Sequence, residues 1–242
     1  MTILEQAAAV TTQPTKRTST PDSSKAGLIT LNYNNLLLLF VIGSVAGLAI
    51  EVLYHFALYG EYQSRAGLVW GPFSPLYGVG AILLTLALNW LCHHPGPVLF
   101  VVSALTGSIV EFICSWWMET CFGAIAWDYS GTFLNIDGRV NLFFACMWGA
   151  LGLLWARFVM PTIHSRFSGI DWKQPALKAS TLIVTLFLLI NITFTVQAFD
   201  RESERALGLP ASSNHEQFLD ENFSTEWMAT RFENMSIYGA SR

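Results

Sequence analysis

The chain has 242 residues, of which 52% are hydrophobic and only 12% are charged. Water-soluble domains carry roughly 25% charged residues, so this composition excludes a soluble globular protein and predicts an all-α, polytopic membrane helix bundle. The formal net charge of −4 comes mainly from acidic residues after position 199, and no basic patch suggests a nucleic-acid partner. The four cysteines form no C-x-x-C pair. We interpret them as thiols packed in the membrane, and neither a metal site nor a cofactor is predicted.

Residues 1–34 are polar and low in complexity, which predicts a disordered tail and not a cleavable signal peptide. A transmembrane domain over 35–199 follows, and residues 200–242 form an acidic C-terminal tail. For this tail two interpretations stay open: an amphipathic helix lying on the membrane, or a polar tail with a little local helix.

The transmembrane domain contains about five apolar runs, each close to the roughly 20 residues that a membrane-spanning helix needs. They lie near 35–58, 74–92, 97–119, 140–160 and 178–199. The second is the weakest because its first residues are irregular. We expect the fourth helix to end at Pro161, since proline is a common helix stop.

The distribution of lysine and arginine predicts the orientation in the membrane. Lys16, Arg17 and Lys25 precede the first span, and the connection 161–177 is also basic, whereas the other two connections carry one arginine each. With five spans, the N-terminus is therefore expected in the cytoplasm and the C-terminus outside.

The stretch from Arg65 to Ala81, RAGLVWGPFSPLYGVGA, looks like neither a span nor an ordinary loop. Proline lacks an N–H and fixes φ, so a regular helix is forbidden at its centre. Irregular backbone at membrane depth is tolerated only where it is buried in protein or lines a wet cavity. The residues expected to shape this stretch are Gly71, Pro72, Pro75, Tyr77 and Gly78.

A second unusual loop, WDYSGTFLNIDGRVN, runs from Trp127 to Asn141. Its loop-shaping residues are predicted to be Trp127, Tyr129, Ser130 and Gly138. We interpret the aromatic residues near this boundary as a membrane-interface belt, in preference to a box that stacks on a ligand.

Two glutamates, Glu51 and Glu111, lie inside apolar runs, where a carboxylate costs on the order of 3 kcal/mol on insertion scales. Small residues recur at helical spacing on the same faces, at Gly43 and Gly47 before Glu51 and at Gly107 before Glu111. Small residues allow a neighbouring helix to approach closely, so both acids are expected to face the interior of the bundle.

The predicted topology brings these acids and the charged groups of both loops to the outer half of the protein. The candidate polar cluster consists of Glu51, Arg65, Glu111, Glu119, Asp128, Asn135 and Arg139. Two interpretations stay open. The charges either pair with one another and only fix helix packing, or they line a polar cavity that binds a substrate or carries protons. No residue is predicted to be catalytic.

With these residues in view, the chain resembles the Putative ABC-transporter permease family, type IV, over roughly residues 37–161. The markers are three glutamates, the multi-residue motifs of the two unusual loops, and several residues in and beside the fourth span. They are Glu51, Arg65–Leu68, Gly71–Gly78, Glu111, Glu119, Trp127–Ser130, Asn135, Gly138–Arg139, Trp148–Gly149 and Pro161. The family more often has Asn-Arg-Gly where this chain has Ser64-Arg65-Ala66-Gly67.

The resemblance implies an integral, multi-pass membrane protein that is a transporter component, and it supplies no substrate. Our first hypothesis is a transport component of a bacterial cell membrane whose polar cavity handles a small solute or lipid. Such a component dimerises or associates with a separate ATPase, because this chain contains no G-x-x-x-x-G-K-[ST] phosphate loop. The connection 161–177 is the candidate for coupling to that subunit. Two alternatives stay open: a membrane scaffold with a structural ion-pair core, and an intramembrane enzyme acting on a lipid-linked substrate.

Overall fold

A computed structural model describes residues 29–237, so most of the predicted tail over 1–34 lies outside the described residues. Within this range the chain is mainly helical. The helices are α1 Tyr33–Tyr59, α2 Pro75–Asn89, α3 Gly96–Phe122, α4 Leu142–Leu154, α5 Met160–Phe167, α6 Pro175–Ala206, α7 Asn214–Asn222 and α8 Thr225–Arg231. Four two-residue strands complete the secondary structure: β1 Ala124–Ile125, β2 Asn135–Ile136, β3 Val140–Asn141 and β4 Ser236–Ile237.

Four helical segments of residues 29–237 are long and apolar enough to span a membrane: α1, α3, the continuous segment Leu142–Phe167 and α6. The second predicted span is shorter than expected, because α2 has only 15 residues. At about 1.5 Å per residue it is about 22 Å long, less than the roughly 30 Å hydrocarbon core of a bilayer. With α2 as a fifth, shorter apolar helix, the described residues form an all-α membrane bundle.

The expectation that the fourth helix ends at Pro161 is wrong. The helical segment passes through Trp155–Val159, which is π-helical, and continues as α5 to Phe167. Proline removes one N–H and crowds the carbonyl one turn earlier. The wider π-helical turn immediately before Pro161 relieves this conflict, so the helix persists beyond the proline.

Close helix packing depends on glycines that meet large side chains of the neighbouring helix. A Cβ at Gly47 would lie 2.2 Å from Cγ of Tyr77, and a Cβ at Gly107 would lie 2.1 Å from Cγ of Trp148. On α4, a Cβ at Gly152 would lie 1.8 Å from Oγ of Ser103. The small residues therefore bring α2 against α1 and α4 against α3, which is the role that the sequence predicted for them.

The elements divide between two ends of the bundle. One end, here called the loop-rich end, carries residues 60–74, 123–141 and 207–237. The opposite end carries Ile29–Asn32 and the connections at 90–95 and 168–174. At that opposite end Ile29 is buried, and its backbone exchanges two hydrogen bonds with the Asn89 side chain.

The C-terminal region packs on the loop-rich end. Leu219 of α7, Phe223 of the following connection and Met228 of α8 join an apolar cluster with Phe122 and Phe199. Beneath it lies an ion-pair network that joins the end of α6 to α7. The Arg201 side chain is buried and donates from Nε to Oδ1 of Asp220 at 2.9 Å. These bonds from Arg201 hold the pKa of the Asp220 carboxyl below its usual range.

Replacing Gly107 tests the glycine packing. We expect Gly107→Ala to destabilise the protein by about 1–3 kcal/mol, because the new methyl group collides with Trp148 on α4. The measurement is the thermal unfolding midpoint of the purified protein in mild detergent. The matched control is Gly96→Ala in the same helix, where the nearest neighbour, Cδ2 of Leu153, lies at an ordinary 3.6 Å. Equal midpoints for the two variants would contradict the packing role of Gly107.

Candidate functional site

The stretch from Arg65 to Ala81, here called the Gly/Pro-rich stretch, is irregular before α2. Side chains of distant helices bind its polar backbone groups. Asn191 of α6 accepts from the Trp70 N–H at 3.1 Å and donates to the Trp70 carbonyl oxygen at 2.8 Å. Thr195, one turn later, accepts from the Val69 N–H at 3.0 Å. Arg231 of α8 donates to the Leu68 carbonyl oxygen at 2.8 Å and also to that of Gly71. These hydrogen bonds pair backbone N–H and carbonyl groups that have no partner within a helix or strand.

Asn191, Thr195 and Arg231 are not among the residues that the sequence predicted for this site. Asn191 and Thr195 lie four residues apart in the last apolar run, so both occupy one face of α6, and both are buried. That spacing of two polar residues in an apolar run was the available signal. For Arg231 no comparable signal exists, since only the tertiary fold brings α8 beside the stretch.

Within the stretch, the predicted shaping residues occupy turns and close contacts. Gly71 has a φ of +73°, which only glycine adopts easily. Pro75 is the first residue of α2. Gly78 faces Ser44 and Phe40 of α1 with no room for a Cβ. Pro72 is exposed and follows directly after Gly71.

The second predicted loop holds itself together with its own side chains. Oδ1 of Asp128 accepts from the Ser130 backbone N–H at 2.9 Å and from its hydroxyl at 2.6 Å. Asn135 donates to the carbonyl oxygens of Ser130 and Thr132 and accepts from the Gly138 N–H at 3.1 Å. Both side chains therefore serve the loop conformation and lie apart from the buried acids.

Strands β2 and β3 form an antiparallel hairpin whose turn contains Asp137 and Gly138. Both residues have positive φ, 54° and 66°, as expected for Asp-Gly in a tight hairpin turn. The indole N–H of Trp127 donates to the Arg139 carbonyl oxygen at 2.8 Å, which fastens the beginning of the loop to the hairpin.

Arg139 is 8% exposed and joins the hairpin to α3. Its guanidinium lies 2.7 Å from Oε2 of Glu119 and 2.8 Å from Oδ2 of Asp137. It also donates to the Ser115 hydroxyl at 3.3 Å. Arg139 and Glu119 thus form a compact ion-pair group at the boundary between helix and loop.

A cavity of about 570 Å³ opens beside Glu51 and Glu111, in the loop-rich half of the bundle. It lies between α1, α3, α4 and α6 and is closed on one side by the Gly/Pro-rich stretch. Most of its wall is apolar or aromatic, including Trp117, Trp127, Phe144, Trp148 and Phe199. Small-molecule sites commonly have this size and this combination of apolar walls with a few polar groups.

The ionisable side chains of this wall are Glu51, His55, Arg65 and Glu111, besides its tyrosines and Cys114. Nη1 of Arg65 lies 3.6 Å from Oε1 of Glu51, and the Tyr77 hydroxyl also binds the Glu51 carboxylate. The Nδ1 atom of His55 lies 3.2 Å from the Glu61 carbonyl oxygen. Glu51 is therefore a paired group.

Glu111 differs from Glu51 in its surroundings. It is 6% exposed, and its carboxylate accepts a hydrogen bond from the Trp148 side chain. Its Oε2 atom is buried and has no hydrogen-bond partner among the residues that the structure describes. Since an unsatisfied buried polar atom costs about 1–3 kcal/mol, Glu111 is the member of the site that packing alone explains least.

Tyr129 closes the site from the second loop. Its ring stacks on Phe144 with centroids 4.8 Å apart. Burial raises the pKa of the Tyr129 hydroxyl, and the nearby Glu111 and Glu51 carboxylates raise it further. The hydroxyl therefore stays protonated at neutral pH and is available as a hydrogen-bond donor.

The structure separates the predicted polar cluster into three parts. Glu51, Arg65 and Glu111 line the cavity, Glu119 and Arg139 form the boundary ion pair, and Asp128 and Asn135 hold the loop. Among residues 29–237, no group of three or more His, Cys, Asp and Glu side chains is arranged to hold a metal ion.

The hydrogen bonds from Asn191, Thr195 and Arg231 to the Gly/Pro-rich stretch are here called the backbone clamp. We expect Asn191→Ala to free the Trp70 backbone and so to increase amide hydrogen exchange across 66–73 by at least about tenfold, as expected for losing about 1.4 kcal/mol of local stability. Thr193→Ala is the matched control, because that exposed residue of α6 donates only to its own helix. Unchanged exchange in Asn191→Ala would show that the clamp is dispensable.

For the acids, we expect Glu51→Gln to destabilise the protein by about 1–3 kcal/mol, because it leaves Arg65 without its partner. Glu111→Gln should leave the unfolding midpoint unchanged or slightly raised, since it removes a buried charge with an unsatisfied oxygen. Thermal unfolding in detergent measures both, with the exposed Glu221→Gln as reference. A large loss of stability in Glu111→Gln alone would assign that acid a structural role.

Comparison with known proteins gives one match. The family model described as "Putative ABC-transporter type IV" matches residues 38–196. The match includes most of α6, which the resemblance over 37–161 had left out. No curated protein and no solved structure matches the chain significantly. Because the family model covers well over half of the chain, this integral membrane protein belongs to the Putative ABC-transporter type IV family.

Proposed function

We propose that this protein is the membrane-spanning component of a transport system and that its cavity binds the transported small solute or lipid. The cavity supports this proposal because it places two acids, an arginine, a histidine and four tyrosines in a mostly apolar wall inside a membrane domain. Intramembrane ionisable groups most often mark substrate or ion pathways. Membership of the family agrees with a transport role.

ATP hydrolysis would be supplied by a separate subunit, since this sequence carries no phosphate-binding loop of the Walker type. The proposed orientation places the N-terminus in the cytoplasm and the cavity in the outer half. The ATPase would then contact the end opposite to the cavity. Helix α5 suits that role, because it buries Met160, Ile163 and Phe167 on one face and exposes Ser165 and Arg166 on the other.

A membrane scaffold is the second candidate function, and a structural role explains part of the buried charge. Arg139 with Glu119, and Arg201 with Asp220, form short ion pairs that connect elements and lie apart from the cavity acids. Those pairs are sufficiently explained by packing. Glu111 is not, and for this reason the transport proposal rests on the cavity and not on the total number of buried charges.

The test is purification of the full chain from its native membranes in gentle detergent, with quantitative mass spectrometry of the associated proteins. We expect a stoichiometric P-loop ATPase in the wild-type preparation. The double variant Arg166→Glu/Lys173→Glu should reduce its recovery at least about tenfold, because it reverses two exposed charges at the opposite end.

The control is Glu221→Lys, which changes one exposed charge at the loop-rich end and should leave recovery of the ATPase unchanged. Absence of any ATPase from the wild-type preparation would refute the coupled-transport proposal. An equal loss of the ATPase in the Glu221→Lys control would refute the assigned docking end.

A further inference from the structure

We infer that the cavity selects an amphiphile with one positive charge, an amine or quaternary ammonium on an apolar body, and that the cation lies against Glu111. This inference rests on the proposed function, because it names the class of solute that the cavity would take. It is carried by two observations: the charge balance of the cavity wall and the unpartnered oxygen of Glu111.

The charge balance leaves one negative charge without a counterpart. The wall contains two carboxylates, Glu51 and Glu111, and one guanidinium, Arg65. Arg65 lies against Glu51 at 3.6 Å, and Tyr77 adds a second contact to that carboxylate. These two carboxylates and one guanidinium sum to one net negative charge in surroundings of low dielectric. A monovalent cation neutralises it, whereas an anion doubles it.

The position of the uncompensated charge is defined by Glu111. The residue is 94% buried, lines the cavity and has an Oε2 atom without a partner in the described part of the chain. The groups that face it are Trp148 from α4, Tyr129 from the second loop, and the Glu51 carboxylate of α1 together with Tyr77 of α2. None of these is a cation, so a cationic ligand would supply the positive charge that the wall lacks beside Glu111.

The remainder of the wall suits an apolar body attached to that cation. Aromatic side chains from every surrounding element reach the cavity, including Tyr54, Trp117, Trp127, Phe144 and Phe199. Aromatic faces attract ammonium groups and pack well against alkyl or aryl chains. A volume of about 570 Å³ is sufficient for a ligand of drug size.

A competing arrangement follows from Arg65, whose Nε atom is also buried without a hydrogen-bond partner among the described residues. An anionic amphiphile bound there would displace the contact with Glu51 and leave two carboxylates uncompensated. The structure therefore favours the cation, and an anion of the same length is the natural comparison ligand.

The experiment compares decylammonium, decanol and decanoate, which share one alkyl chain and differ in charge. Binding of each radiolabelled compound to the full chain in lipid nanodiscs is measured at pH 7 by equilibrium dialysis, with empty nanodiscs subtracted. We expect decylammonium to bind at least tenfold more tightly than decanoate. Cys114→Trp, which fills part of the cavity wall, should abolish the binding that exceeds partition into lipid.

The assignment to Glu111 is tested with Glu111→Gln, which should reduce the preference for decylammonium over decanol at least tenfold. Glu221→Gln, an exposed change outside the cavity, is the matched control and should keep the preference. The comparison of the three compounds uses wild-type protein, so it stays decisive even if Glu111→Gln does not fold.

The outcomes separate this inference from the proposed function. Saturable, cavity-dependent binding of decanol or decanoate at least as tight as that of decylammonium would overturn the cation inference and leave the cavity as a solute site. A preference for the cation that persists in folded Glu111→Gln would overturn the role of Glu111. Failure of all three compounds to bind above empty nanodiscs would overturn the cation inference, whereas the coupled-transport proposal is tested separately by the recovery of the ATPase.

Discussion

The structure depends on hydrogen-bond partners for the irregular backbone of one segment inside a membrane domain. Residues 64–74 cannot form a helix, and yet Ala66, Leu68 and Val69 are buried in the bundle. In surroundings without bulk water, each unpaired N–H or carbonyl group costs several kcal/mol. Asn191, Thr195 and Arg231 supply the missing partners. Because of this clamp, the Gly/Pro-rich stretch is held in place before α2 and forms a wall of the cavity.

The same clamp explains why the C-terminal helices belong to the membrane domain. Arg231 of α8 reaches the Gly/Pro-rich stretch, and the Arg201–Asp220 bond holds α7 on the end of α6. Asn234 and Met235 then contribute to the cavity wall. The acidic tail, for which the sequence left two interpretations, therefore forms short helices that pack on the protein's own loop-rich end and cover part of the site.

Buried charge in this protein serves two physical purposes. Where a guanidinium meets two carboxylates at short distance, as Arg139 meets Glu119 and Asp137, the pairing offsets the cost of burying the guanidinium. Where a carboxylate lacks such a partner, as Glu111 does within the described residues, the cost is not offset inside the chain. The difference separates charges that hold elements together from charges that are suited to bind a ligand.

The sequence by itself determined the membrane class, four of the spans, the unusual loops and the inward direction of Glu51 and Glu111. These features follow from local quantities: hydropathy over about 20 residues, helical spacing, and the backbone limits of proline and glycine. The tertiary structure alone decided that Glu51 pairs with Arg65, that Glu119 pairs with Arg139, and that Asn191 and Arg231 bind the Gly/Pro-rich stretch. It also decided the short α2 and the passage of the fourth helix through Pro161. Such outcomes depend on which distant side chains meet in space, and no local pattern specifies that.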